Sequence, residues 1–499
     1  MNNNAHPVAE LMQESGVGFG TSGARGLVSA MTDRVCYAYT LAFLQHLNAI
    51  NMLSGDRRVA IAGDYRPSTP LIMKAVGKAV EDFGCQLIHC GSLPSPAIAL
   101  FGIVQQIPTI MVTGSHIPDD RNGIKFNRPD GEILKQDEAG IRGQQVEFPE
   151  GLFDEAGAMI LDYRLPEIDD QAGQDYLTRY REFFDSDTLT GLKIGLYQHS
   201  GVARELLIEI LQALGAEVLC LGYSEAFVPV DTEAIRPEDV ALANDWASEF
   251  NLDAIVSTDG DADRPLVSDE QGRWLRGDIA GLLCADYLNA EWVVTPVSSN
   301  SALEHSGKFR GVVRTRIGSP YVIADMQALI QEGKSRVVGY EANGGFLIAD
   351  DLVGEDRTLA ALPTRDAVIV ILAILHLSKV RNKPVSGLLL ELPERYTHSD
   401  RLKAFPTELS QQMLGRFQSG DFTRDSQAIE EAFKHRFGPV DKIDTTDGVR
   451  ITFSGGDIVH LRPSGNAPEL RCYTESDSEQ KVRDMNRDCL KILEEWRVN

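Results

Sequence analysis

Between residues 57 and 91 the chain spells out one unit, and it then repeats that unit. The apolar strand VAIAG is followed by a loop, a helical run LIMKAVGKAVEDF, a glycine and a second apolar strand, QLIHC. Residues 193–222 restate the pattern as KIGLY, VARELLIEILQAL, Gly215 and EVLCLG, and a looser third copy begins at EWVVTPV and returns at GVVRTRIG. Short apolar strands alternating with helices at this spacing predict parallel βαβ units. Three such copies in 499 residues predict three related domains.

After about residue 390 the pattern changes. GVRITF, the turn SGGD, IVHLRP, ELRCYTE and a final helix from about Ser478 read as an antiparallel α+β unit. The expected class is α/β. Three mixed-sheet βαβ domains are expected at residues 1–155, 170–270 and 271–388, with a C-terminal α+β domain at 392–499. The acidic stretch from Gln144 to Gln171 reads as a loop or linker.

Composition narrows the function. Hydrophobic residues at 43% and charged residues at 24% exclude a disordered, collagen-like or coiled-coil chain. A net charge of −25 repels polyphosphate backbones, so no nucleic-acid partner is expected. An anionic small substrate would then need a locally positive pocket and a metal cation. Seven scattered cysteines with no CxxC pair predict reduced, buried thiols. The start MNNNAHPVAELM lacks the parts of a secretory signal. The longest apolar run, Ala367 to Leu375, is about half of a membrane span. A cytoplasmic protein with no membrane partner is the expectation.

Ligand sites in α/β sheets gather at the carboxyl ends of strands, and four loops in such positions carry chemistry. Thr113-Gly114-Ser115-His116-Ile117-Pro118 follows PTIMV and can present a serine hydroxyl as a nucleophile. It is not a GxSxG elbow, so esterase chemistry is not indicated. Asp259-Gly260-Asp261-Ala262-Asp263-Arg264 follows LDAIVST, and its three alternating carboxylates can converge on one hard divalent cation. An EF-hand reading would use Glu270 at the twelfth position. It meets Arg264 where a glycine normally turns the chain, so a small octahedral Mg²⁺ fits better. Glu341-Ala342-Asn343-Gly344-Gly345 offers a carboxylate and an amide to adjacent hydroxyls. Arg462-Pro463-Ser464-Gly465-Asn466-Ala467-Pro468, with Arg471 beyond, has the tools to grip a phosphate dianion. Together the four loops describe a phosphosugar site.

With these loops in hand, the chain resembles the α-D-phosphohexomutase superfamily, the phosphomannomutase/phosphoglucomutase group. The resemblance begins at Phe19-Gly20-Thr21-Ser22-Gly23-Ala24-Arg25-Gly26 and continues through Gly63-Asp64-Tyr65-Arg66-Pro67-Ser68 and Leu93-Pro94-Ser95-Pro96. It then takes in the four loops in the family's order, TGSHIP, DGDADR and the late RPSG among them.

The resemblance implies a four-domain enzyme in which Ser115 is phosphorylated and, with Asp259, Asp261 and Asp263, holds one Mg²⁺. It implies that Arg25, Arg264 and His116 surround the phosphoserine and that Lys125 transfers protons. Glu341 and Asn343 would read sugar hydroxyls. Arg462, Ser464, Gly465, Asn466 and Arg471 would hold the non-reacting phosphate. The implied reaction interconverts hexose 6-phosphate and hexose 1-phosphate through a hexose 1,6-bisphosphate, which also serves as activator. The implied protein is a monomer or homodimer. Mannose is the expected sugar, with glucose or a dual preference as the alternative, and glucosamine phosphate or a Mg²⁺-dependent phosphatase further off.

Three positions depart from the family pattern. Gly345 stands where many members carry a histidine, Asn343 where they carry a serine, and Ser319 where some carry a second histidine. Proton transfer is thereby shifted toward Lys125. A haloacid-dehalogenase-type hydrolase would also use Asp-x-Asp, but Arg264 and Pro265 replace its Thr/Val and Ser115 would have no task. A non-catalytic sugar-phosphate sensor would need neither Ser115 nor Lys125. His89 and His199 read as packing or turn residues.

Overall fold

The structure is a computed structural model, and it describes residues 5–20, 23–53, 55–354, 356–464 and 468–498. It contains two compact units. One is built from the chain up to Glu291 together with Gly318–Leu389, the other from Trp292–Ile317 and the chain from Leu390 onward.

In the first unit, the leading sheet runs in the order Gly18–Phe19, Ala24–Leu27, Arg121–Arg128, Thr109–Val112, Arg58–Gly63, Gln86–Ser92. Arg58–Gly63 is parallel to both Gln86–Ser92 and Thr109–Val112, whereas Thr109–Val112 is antiparallel to Arg121–Arg128. Strands buried on both faces need continuous apolar runs, and Val59, Ala60, Ile61 and Ala62 are completely buried. The helix Thr69–Asp82 sends Ile72, Met73, Val76, Ala79 and Val80 into the core at helical spacing.

A second sheet orders Glu217–Tyr223, Lys193–His199, Ala254–Thr258 and Pro265–Val267. The first three are parallel and the last antiparallel. The unit also contains the antiparallel pair Val337–Tyr340 and Phe346–Ile348. The apolar run at 367–375 is explained by the helix Ala367–Arg381, whose first nine residues are buried on every side. Among the described residues no helix is long and apolar enough to cross a membrane.

The second unit is built on a five-stranded antiparallel sheet in the order Tyr396–Lys403, Glu469–Ser476, Ile458–Pro463, Val449–Phe453, Val440–Asp444. The helix Glu479–Val498 adds Met485, Cys489, Ile492 and Leu493 to a core with Phe405, Phe433, Leu461 and Cys472. The parallel pair Trp292–Pro296 and Gly311–Thr315 belongs here. Polar bonds stitch this inserted segment to the C-terminal chain. Ser301 Oγ donates to Glu475, Asn300 Nδ2 to the Arg395 carbonyl (2.8 Å), and the Ile317 N–H to Asp447 (3.0 Å).

The α/β class with an antiparallel C-terminal part is as the sequence predicts. Two details differ. Gln145–Glu147, expected within a linker, is a strand antiparallel to Ala5–Pro7, too short for its periodicity to register; the residues after it carry no regular element until Gln171–Phe183. Cys220 is exposed on the strand Glu217–Tyr223, while the other six thiols are buried.

Candidate active site

The serine loop leaves the strand Thr109–Val112 and is held from beneath by one buried ion pair. Arg66 and Asp64 meet at 3.1 Å with no side-chain exposure. The Arg66 guanidinium also donates to the carbonyls of Ser115 (2.7 Å), Ile117 (2.6 Å), Pro118 (2.8 Å) and Arg121 (3.0 Å). The ring of Phe227 lies 4.1 Å from its other face. Gly114 is required by this approach, because a Cβ there would sit 2.5 Å from Arg66 Cζ. Thr113 Oγ1 donates to Asp64 (2.8 Å) and accepts the Ser115 N–H (2.7 Å). Ser115 is thereby fixed at φ +54°, a left-handed conformation costly for a residue with a side chain.

That conformation delivers Ser115 Oγ to the acidic loop, where it donates to Asp259 Oδ2 at 2.6 Å. The acidic loop turns between the antiparallel strands Ala254–Thr258 and Pro265–Val267. No helix flanks it, and Glu270 instead accepts from Ser386, so the EF-hand reading falls. One oxygen from each of Asp259, Asp261 and Asp263 lies within 4.8 Å of the others, and all three residues are buried. Oδ1 of Asp261 and Oδ1 of Asp263 are buried without a hydrogen-bond partner. Buried lone pairs left unsatisfied are costly, and an oxygen-seeking divalent cation would satisfy them, so the residues present fit Mg²⁺. Burial, with Asp261 and Asp263 adding to it, holds Asp259 well above the usual carboxylate range. Burial would also raise Asp263, but Arg365, Lys125 and Arg264 outweigh it and lower its pKa.

Lys125, on the strand Arg121–Arg128, reaches Asp263 at 2.6 Å and also pairs with Asp261. Burial disfavours its ammonium, yet the two aspartates overcome this and raise its pKa. Ser95 Oγ donates to Asp261 as well. Arg264 lies 3.9 Å from Asp259 and 3.6 Å from Asp263. Arg25 sits among these charges, lowered to about 10 by burial and then by Arg264 and Arg365. His116 Nδ1 lies 3.3 Å from Ser115 Oγ. Burial, followed by Arg264 and Arg25, lowers it to about 2, so it is neutral.

The loop Glu341–Gly345 joins Val337–Tyr340 to Phe346–Ile348. Asn343 Oδ1 accepts the Gly345 N–H (2.9 Å) and its carbonyl accepts Thr232 Oγ1 (2.8 Å), which shapes the loop. Glu341 Oε2 accepts from Arg365 at 3.1 Å. Ser319, in the place of the second histidine, is buried and donates to Glu132 (2.9 Å).

Arg462 and Ser464 line a groove of about 1040 Å³ in the second unit, with Asp447 and Thr407 beside them. Arg462 Nε donates to Asp447 at 2.9 Å. Arg462 and Arg471 are direct cross-strand partners, so they share one face of the sheet. Gly465 and Asn466 lie outside the described residues.

Ser115, Lys125, Asp259, Asp261, Asp263, Arg264 and His116 are thus brought together as one site. Sequence reasoning missed Arg365, and it quoted Arg66 and Ser95 only as parts of motifs. The one available signal for Arg365 was a charged pair, Arg365-Asp366, directly before the apolar run Ala367 to Leu375.

Four sequence families match along the chain: phosphoglucomutase/phosphomannomutase alpha/beta/alpha domain I at residues 16–147, domain II at 174–272, domain III at 276–396, and the C-terminal domain at 416–491. A phosphomannomutase of Salmonella muenchen is 42% identical over 479 residues, covering 96% of this chain and 95% of its own. One of Sinorhizobium fredii is 42% identical over 476 residues, covering 95% and 98%. The crystal structure of a putative phosphomannomutase from Thermus thermophilus shares the fold with a TM-score of 0.73, at 20% identity, over 96% of this chain and 99% of that one. Such matches over all four domains leave no room for a dehalogenase-type hydrolase. The chain belongs to the phosphoglucomutase/phosphomannomutase family.

Proposed function

We propose that this chain is a phosphomannomutase, interconverting mannose 6-phosphate and mannose 1-phosphate through a phosphorylated Ser115 and a mannose 1,6-bisphosphate. The observation that carries the reading is the 2.6 Å contact between Ser115 Oγ and Asp259 inside a buried three-aspartate cluster. The 42% identity to phosphomannomutases supports the choice of sugar.

Phosphoryl transfer is catalysed chiefly by positioning and charge neutralisation. Asp259, Asp261 and Asp263, with Ser115, would hold a Mg²⁺, which would supply neutralising charge for the phosphoryl group. The chain's own residues do the rest. In the first half-reaction the P–O bond to Ser115 breaks as one forms to the sugar hydroxyl. Lys125, which Asp261 and Asp263 hold as an ammonium, gives its proton to Ser115 Oγ as that oxygen departs and takes up the sugar hydroxyl proton in exchange, so no proton is lost or gained. Arg25 and Arg264 neutralise the transferring oxygens, and neutral His116 donates a hydrogen bond and no charge. The second half-reaction reverses these steps from the other end of the bisphosphate. Glu341 and Asn343 serve both orientations, because O3 and O4 exchange places when the sugar turns over. Arg462, Ser464, Gly465, Asn466 and Arg471 hold the idle phosphate. Mannose 1,6-bisphosphate is the activator that restores a dephosphorylated Ser115.

The test is kcat/KM on mannose, glucose and glucosamine 1-phosphates with the matching bisphosphate supplied. Mannose 1-phosphate should give the largest value. A glucose value tenfold higher would replace mannose by glucose, and no turnover of any of the three would overturn the mutase reading.

A further inference from the structure

Gly345 does not use the left-handed backbone region, so conformation does not explain why it is glycine. Space does. A Cβ at this position would lie 2.6 Å from Cδ, 2.8 Å from Cγ and 3.1 Å from Cβ of Arg365. The side chain of Arg365 therefore runs through the volume that a residue at 345 would fill. It arrives from the turn before the helix Ala367–Arg381 and is 2% exposed.

The end of that side chain is a fork. One guanidinium nitrogen lies 2.8 Å from Asp263 Oδ2 and the other 3.1 Å from Glu341 Oε2. Glu132, which accepts Ser319 Oγ and Thr364 Oγ1, adds a third carboxylate to its electrostatic surroundings. A buried carboxylate is retained only when paired, and a planar guanidinium can hold two of them in one fixed geometry. The second oxygen of Asp263 is left for other work. Asp263 Oδ1 has no hydrogen-bond partner and belongs to the cluster that fits a cation.

We propose that Arg365 is a positioning residue that locks the hydroxyl-reading Glu341 to the cation-holding Asp263, through a passage that Gly345 keeps open. The part concerning Glu341 rests on the phosphosugar reading above; the pairing with Gly345 does not. A lysine at 365 keeps the charge but is a single point donor, unable to span both carboxylates in one plane. Glu341 then loses its fixed direction.

Arg365→Lys should raise KM for mannose 1-phosphate at least tenfold with a smaller change in kcat. It should also weaken mannose 1-phosphate binding at least tenfold by titration calorimetry. Glu341→Gln should do the same, and the double variant should be no worse than the poorer single one, the mark of one shared interaction. A merely structural role would lower the melting temperature but leave KM unchanged well below it. Gly345→Ala should lower the melting temperature of the wild-type chain and cost nothing further in an Arg365→Ala background. Should Arg365→Ala not fold, Arg365→Lys and Gly345→Ala alone carry the test. Fully additive losses for Arg365→Lys and Glu341→Gln, or a Gly345→Ala chain as stable as wild type, would overturn the proposal. A wild-type chain that bound no hexose phosphate would instead overturn the phosphosugar reading and leave the Gly345 result standing.

Discussion

A single hydroxyl in a left-handed turn is the oxygen on which the proposed chemistry rests, and its neighbours decide what it can do. Ser115 Oγ has an acceptor in Asp259 and a neutral ring in His116. Replacing it with alanine removes the oxygen proposed to carry the phosphoryl group. Ser115→Ala should have no detectable turnover and no phosphorylated fraction by intact-mass measurement. Its unfolding free energy should change by about 1 kcal/mol, the value of one lost hydrogen bond. Turnover above background would remove Ser115 from the mechanism. Asp261 presents one oxygen to Lys125 and Ser95 and leaves the other without a partner. Mg²⁺ should therefore raise the melting temperature of the wild-type chain, because a ligand bound only by the folded state stabilises it. Asp261→Asn should lose most of that rise, and an equal rise in both proteins would dismiss the triad as the cation site.

Among the elements, the serine loop depends most on something outside itself. Three of its carbonyls, and that of Arg121 where the next strand begins, accept from one guanidinium in the turn after Arg58–Gly63, itself paired with Asp64. Arg66→Ala would take the guanidinium donor from those carbonyls and leave the buried Asp64 carboxylate facing only hydroxyl and backbone donors, with no cation. The expected loss is about 3–5 kcal/mol of unfolding free energy in urea, and a loss below about 1 kcal/mol would mean the loop holds itself. This arrangement marks the limit of what the sequence discloses. TGSHIP, DGDADR and the loop at Glu341 are legible because polar, glycine-bounded runs after apolar strands announce where strands end. Arg66 and Arg365 are not legible in the same way. An arginine in a turn looks like a surface residue until the fold brings distant carbonyls and carboxylates to it. The strand Gln145–Glu147 escaped notice because its pairing with Ala5–Pro7 is set by distant chain, and three residues carry no period.

Over the whole molecule, buried histidines that the folded chain keeps neutral, His199 and His460 as well as His116, lower stability in acid. Burial lowers His199 to about 4, although its bond to the Thr258 carbonyl resists the shift. His460 is lowered to about 4 in the same way, with Asp447 as its carbonyl partner. The unfolded chain protonates both below about 6.5, while the folded chain refuses those protons until about pH 4. The unfolded state thus binds more protons in that window, and stability falls as pH drops through it. Each histidine contributes up to about 1.4 kcal/mol per pH unit. Urea unfolding should show a steeper loss between pH 6.5 and 4.5 in wild type than in His199→Gln, and identical slopes would remove His199 from this account. The reach of sequence reading is uneven at this scale too. The α/β class and the change of pattern near residue 390 are visible in the alternation of strands and helices. The assignment of Trp292–Ile317 to the C-terminal unit is not, because it rests on bonds such as Ser301 to Glu475 between residues far apart in the chain.

That insertion has a consequence for how the protein is made. A ribosome delivers Trp292–Ile317 well before Arg395, Asp447 and Glu475 exist, so Ser301 Oγ, Asn300 Nδ2 and the Ile317 N–H wait for those partners while earlier parts of the chain fold. The second unit closes only when translation is nearly finished, and a polypeptide released early, at any codon before 475, is left with an unfinished end.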